Sequence, residues 1–171
     1  MQTKIENTQY LLISLLEAPL LATILAFFTK YTISNESGEL AYNFSQNVNL
    51  PSYLLMSIIV VLFIGMLVSA EEIINDKNVL EREKFLNLSR SSYLLSKVMY
   101  LFILSGIQVI SFVVIGNLIL EIKGMTLNYR LILFSTACFA NMLGLNISAG
   151  LKSQVAIYVL IPFLLIPQIL L

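Results

Sequence analysis

Residues 51–70 read PSYLLMSIIVVLFIGMLVSA and contain no charged side chain. A helix needs about 20 mostly apolar residues to cross the hydrocarbon core of a bilayer, so this run alone argues for a membrane span. Its opening Pro suits the first turn of a helix. Segments 9–28, 93–120, 127–148 and 154–171 have the same character or nearly so. They are too long for strands and lack period-two alternation. Only 12% of the residues are charged, against about 25% in a soluble domain, and mean hydropathy is +0.87. The expected fold class is all-α: a polytopic membrane helical bundle of about five transmembrane helices, forming a single transmembrane domain over 1–171.

The same composition closes off several functions. There is no His, which removes the usual zinc sites, His-based triads and His proton switches. The single Cys138 lies in an apolar run, cannot form an internal disulfide, and reads as a small buried hydrophobe. A net charge of zero gives no reason to expect nucleic acid as a partner. An intramembrane enzyme has little to stand on, because no convergent carboxylate pair and no activated Ser or Cys constellation is visible. The N-terminus reads as a retained helix and not a cleaved signal peptide. One Lys precedes the apolar run, Glu17 interrupts it, and no small-x-small site follows.

Basic residues in the loops set the expected orientation. With the N-terminus inside, the inner side carries seven, Lys4, Lys77, Arg82, Lys84, Arg90, Lys97 and Lys152, and the outer side three, Lys30, Lys123 and Arg130. The expected location is the plasma (inner) membrane with a cytoplasmic N-terminus and an outer loop at 31–50.

Between the second and third spans lies SAEEIINDKNVLEREKFLNLSRSSYLLSK, residues 69–97. It gathers five acids and five bases, out of ten of each sign in the chain. Residues 71–88 lack Gly and Pro and are rich in Glu, Lys, Leu and Ile, which predicts a helix. Lys77 with Glu81, and Glu81 with Lys84, have helix-supporting spacings. The apolar arc is interrupted by these charges, and a membrane-surface helix would carry a cleaner face and net basic charge. Two readings stay open from the residues: a solvated helix that joins two spans, or a helix that docks on another protein's mixed polar surface.

The order of short motifs resembles the type-2 ABC transporter permeases, the membrane domains of ABCG-like exporters. Ser69-Ala70-Glu71-Glu72 stands where that family ends its second span in a small pair followed by acids. Val79-Leu80-Glu81-Arg82-Glu83 resembles its hydrophobic-plus-RE segment, and Ser92-Tyr93-Leu94-Leu95-Ser96-Lys97 the start of its third span. Gly144-Leu145-Asn146-Ile147-Ser148-Ala149 continues the likeness. Ile161-Pro162 and Ile166-Pro167-Gln168-Ile169-Leu170-Leu171 resemble its fifth span. The first span and outer loop match in position alone.

The resemblance implies that 71–88 is a coupling helix resting on a nucleotide-binding domain, with Glu81, Arg82 and Glu83 as the ATPase contacts. Arg82 is suited to a bidentate pair with a carboxylate there. It implies a dimer of two permease copies, with ATP and Mg bound by the partner ATPase and no cofactor on this chain. The family carries a sixth span after a large outer segment, so the chain ending at Leu171 is expected to be truncated after the fifth. No G-x-x-x-x-G-K-[ST] loop is present. Leu104-Ser105-Gly106-Ile107-Gln108 approaches an ABC signature but lies inside a span and lacks the second Gly, a coincidence. The alternative function is a non-transporting membrane anchor or sensor that recruits a protein through the same helix.

Inside the spans, Glu17 either sits near the inner interface on an amphipathic lead-in or has a functional role. Gln108, Asn117, Asn141 and Asn146 line a substrate path or bond neighbouring helices, the commoner use of such amides. Ala140, Gly144 and Ser148, and separately Gly65 and Ser69, form small-x-x-x-small ridges assigned to helix packing. Pro162 and Pro167 are expected to bend the fifth span.

Overall fold

Apolar runs without alternation satisfy their backbone groups internally only as helices, and the computed structural model of the chain follows that rule. It describes residues 8–30, 33–34, 40–41, 47–74, 90–122, 124, 126–151 and 154–170. Helix α1 (Thr8–Thr29) leads to a two-residue antiparallel pair, β1 (Ile33–Ser34) and β2 (Leu40–Ala41), with Ile33 opposite Ala41 and Ser34 opposite Leu40. Then come α2 (Leu50–Ala70), α3 (Arg90–Leu120), α4 (Thr126–Gly150) and α5 (Gln154–Leu170). The strand pair departs from a strand-free expectation, but it is confined to the loop after α1 and leaves an all-α helical bundle.

Among the described residues four stretches are long and apolar enough to cross a membrane: Leu12–Thr29, Leu50–Ile74, Ser91–Leu120 and Thr126–Gly150. The molecule is an integral membrane protein. Helix α5, with 17 residues, reaches about 26 Å at 1.5 Å per residue and falls short of a hydrocarbon core of about 30 Å. Both Pro162 and Pro167 lie inside it. The sequence counts this segment as a fifth span; among the described residues the structure gives four helices of spanning length and a shorter fifth.

Helix α2 is the centre. It packs against α1, α4 and α5 and touches α3, while α1 and α4 each also pack on α3. Its spanning segment is 56% buried, against 22% to 39% for the other three. Association in lipid lacks the hydrophobic drive that acts in water, so small residues that permit close approach mark the contacts. Helix α1 shows this clearly. Ala18, Ala22 and Ala26 are buried at four-residue spacing, while Leu12, Ile13, Leu16, Leu20, Ile24, Phe27 and Phe28 face outward, where acyl chains solvate them. Asn47 ties the end of α1 to the start of α2. Its Nδ2 donates to the Thr29 carbonyl (3.4 Å) and its Oδ1 accepts the Asn49 N–H (3.0 Å).

At the Leu50 end of α2, Tyr53 is fully buried with Phe112, Val113, Tyr129 and Leu133. Its hydroxyl lies where α3 has no side chain: a Cβ on Gly116 would come within 2.0 Å of the Tyr53 oxygen. Gly116→Ala is expected to destabilise the bundle by about 1–3 kcal/mol through overpacking, measured as a lowered unfolding midpoint in mixed detergent micelles. Adding Tyr53→Phe, which deletes the clashing oxygen, should return most of that loss. A Gly116→Ala midpoint equal to wild type would show that the phenol moves aside freely.

Candidate functional site

The charged stretch begins where α2 ends. A turn at Glu71 separates α2 from a helix that resumes over 72–74. The first N–H groups of any helix have no carbonyl partner within it. An N-cap side chain ordinarily supplies one to the second and third helical N–H groups. Glu71 stands at the capping place, but a Glu is not among the favoured caps, and its carboxylate instead accepts the hydroxyl of Tyr158 from α5. The cap comes from α4. The Ser148 Oγ accepts the N–H of Ile73 at 3.0 Å and of Ile74 at 3.1 Å, and Ser148 is buried.

Glu72 is only 1% exposed, and Lys97 Nζ of α3 meets its Oε1 at 2.8 Å. The lysine also lies over the Tyr93 ring, 5.6 Å from its centroid. Unpaired burial of a carboxylate costs several kcal/mol, and the lysine offsets that cost for Glu72. An acid in the first turn also complements the positive end of the helix dipole. Residues 71–74 are thus held by a polar group from each of α3, α4 and α5.

Most of 71–88 lies outside the described residues, and Glu81, Arg82 and Glu83 lie there too. The four amides expected within spans fall in three different settings. Gln108 Nε2 donates to the Ser14 carbonyl of α1 at 2.9 Å. Asn141 Nδ2 donates to Ser105 Oγ of α3 at 2.8 Å, with the Leu101 carbonyl at 3.3 Å. Asn117 Nδ2 donates to Thr126 Oγ1 across the α3–α4 link at 3.1 Å. Asn146 is exposed and donates to the Met142 carbonyl of its own helix at 2.8 Å. Ser105 and Gln108 border a cavity of about 10 Å³ between the helices, room for about one water. Glu17 is half-buried on α1.

The two small-residue ridges face one another. A Cβ on Gly65 would lie 2.8 Å from the Ala140 Cβ, and one on Gly144 would lie 1.9 Å from Ser69 Oγ and 2.8 Å from the Met66 carbonyl oxygen. Ser69 Oγ donates to the Gly65 carbonyl at 2.6 Å, turning its hydroxyl into its own helix. Ser148 continues the α4 ridge but goes to the capping bonds. In the sequence Glu71, Glu72 and Lys97 stand out only as members of the family motifs or of the loop charges, and Tyr158 does not stand out at all. The available signal was charge placement: Glu72 and Lys97 bracket the charged stretch at the ends of consecutive spans, which a hairpin brings to the same membrane face.

Comparison with curated proteins gives no match, and neither does comparison with solved structures. The family described as ABC-2 type transporter matches residues 1–171, the whole chain. That family comprises transporter membrane domains without a catalytic centre, in keeping with the four spanning helices. With its helical bundle and full-length match, this chain belongs to the ABC-2 type transporter family as a permease-type membrane domain.

Proposed function

We propose that the chain is the membrane-spanning part of an ATP-driven exporter, and that residues 71–88 form its coupling helix. In this reading the N-terminus and the Glu72 end of the bundle face the cytoplasm. Glu81, Arg82 and Glu83 contact a separate nucleotide-binding domain that binds ATP and Mg. Two permease copies pair, and closure of the two ATPase domains moves the coupling helices.

The observation that carries this reading is the threefold hold on residues 71–74 by Lys97, Ser148 and Tyr158. A joining loop needs no such hold; a segment that transmits force to three helices does. The cavity beside Ser105 and Gln108, about 10 Å³, is far too small for a substrate, and in this reading the path lies between copies. Its lining would be largely apolar and suited to amphipathic cargo.

Photo-crosslinkers placed at Arg82 and Glu83 in native membranes, with mass spectrometry of the captured partner, test this. The expected capture is an ATP-binding cassette protein whose crosslink pattern differs with and without ATP. Capture of a non-ATPase protein would turn the assignment to a membrane anchor or sensor, and no capture at either position would remove the coupling contact.

A further inference from the structure

We propose that Ser148 is the positioning residue of the charged segment's first turn: it caps residues 72–74 in trans, so the direction of that turn is set by α4 and not by α2, to which it is covalently joined. The inference deepens the coupling reading above and rests on it for its functional meaning, while its structural content stands alone.

Helix α2 ends at Ala70, and Glu71, a one-residue turn with helical angles (φ −81°, ψ −16°), links it to helical residues 72–74, two of whose N–H groups take their acceptor from outside the segment. Counting Glu71 as the capping position, Ile73 and Ile74 are the second and third helical residues, the N–H groups that a capping side chain serves. Both bond to one oxygen, Ser148 Oγ, at 3.0 and 3.1 Å. The other polar holds are of a different kind. Lys97 and Tyr158 fix side chains, Glu72 and Glu71, whose torsions let the backbone swing. Ser148 alone fixes backbone N–H groups, whose direction is the direction of the helix itself. Its short side chain is rooted on the α4 ridge that faces α2 at Gly65 and Ser69. A shift of α4 along α2 therefore either carries the segment's first turn with it or uncaps it.

Amide hydrogen exchange on the full chain in lipid nanodiscs tests this, comparing wild type with Ser148→Ala and the near-isosteric Ser148→Cys. Sulfur is a weak acceptor, so Ser148→Cys keeps the packing and loses the cap. The expected result is roughly tenfold faster exchange at Ile73 and Ile74 in both variants, the scale of a lost N-cap, with the mid-α2 amides unchanged. Unchanged exchange at those two amides in Ser148→Ala overturns the proposal. So does protection by Cys equal to that by Ser, or acceleration spread along all of α2, since either makes Ser148 a packing residue. The Arg82 crosslink, repeated in Ser148→Cys, should lose its ATP dependence. Should wild type capture no ATPase, the coupling reading fails, and the exchange result still decides the cap.

Discussion

Lys97→Ala is expected to cost about 3–5 kcal/mol, the penalty for stranding one member of a buried ion pair. Glu72 is 1% exposed and its Oε1 lies 2.8 Å from the lysine nitrogen. Truncating the lysine removes this counter-charge from an enclosed acid. Reversible unfolding in mixed micelles should show the loss directly as a lowered midpoint. The double variant Glu72→Gln, Lys97→Met should recover most of it, because replacing a buried pair by neutral groups of similar volume is often close to neutral. The cycle formed by the two single variants and the double isolates the pair's coupling. A Lys97→Ala midpoint within about 0.5 kcal/mol of wild type, the range of an ordinary surface change, would show that the pair does not hold the fold. On the coupling reading proposed above, the double variant, folded but without the charge link from residue 72 to α3, should couple poorly to its ATPase.

Gly144→Val is the second large effect. Any Cβ at this position lies 1.9 Å from Ser69 Oγ and 2.8 Å from the Met66 carbonyl oxygen. The serine hydroxyl can rotate, but the carbonyl belongs to the α2 backbone and yields only if the helices part. Overpacking typically costs about 1–3 kcal/mol, and a branched side chain against backbone belongs at about 3 kcal/mol or beyond. Parting the seam also draws Ser148 away from Ile73 and Ile74, so the local opening should accompany the global loss. Gly144→Ala combined with Ser69→Ala removes the nearest clash and should lie between wild type and Gly144→Val. Equal midpoints for Gly144→Val and wild type would refute the close α2–α4 seam.

The fold class was legible because lipid leaves so few choices. The uncharged run 51–70 has to be a helix, and the low charge content placed the remaining runs with it. The ridge spacing at Gly65 and Ser69, and at Ala140, Gly144 and Ser148, is plain in the sequence. Which ridge meets which is not, since a small residue permits approach without choosing a partner. The root of the charged stretch was hidden for a related reason. Ser148 is one serine among many until α4 lies beside the end of α2, and its two bonds span sequence separations of 75 and 74. The Glu72–Lys97 pair, only 25 apart, is within reach of topology, whereas the family pattern lies in the middle of the stretch at Glu81, Arg82 and Glu83. Asn146 shows the opposite difficulty. It looks like its neighbour Asn141 in the sequence, yet a turn and a half of helix puts it on the exposed side, bonded to its own backbone.

The distance in sequence between Ile73 and its acceptor also sets an order of events. A ribosome adds about 5–20 residues per second, so the charged segment emerges several seconds before Ser148 does. Through that interval its first turn has no cap, and Glu72 waits on the arrival of Lys97. The face proposed to receive the ATPase is therefore finished only when α4 has been inserted beside α2. A chain stalled after two or three spans has the first turn of its charged segment still without the Ser148 oxygen. Completion of this hydrogen-bonded corner is thus a late step, set by the insertion of α4 beside α2.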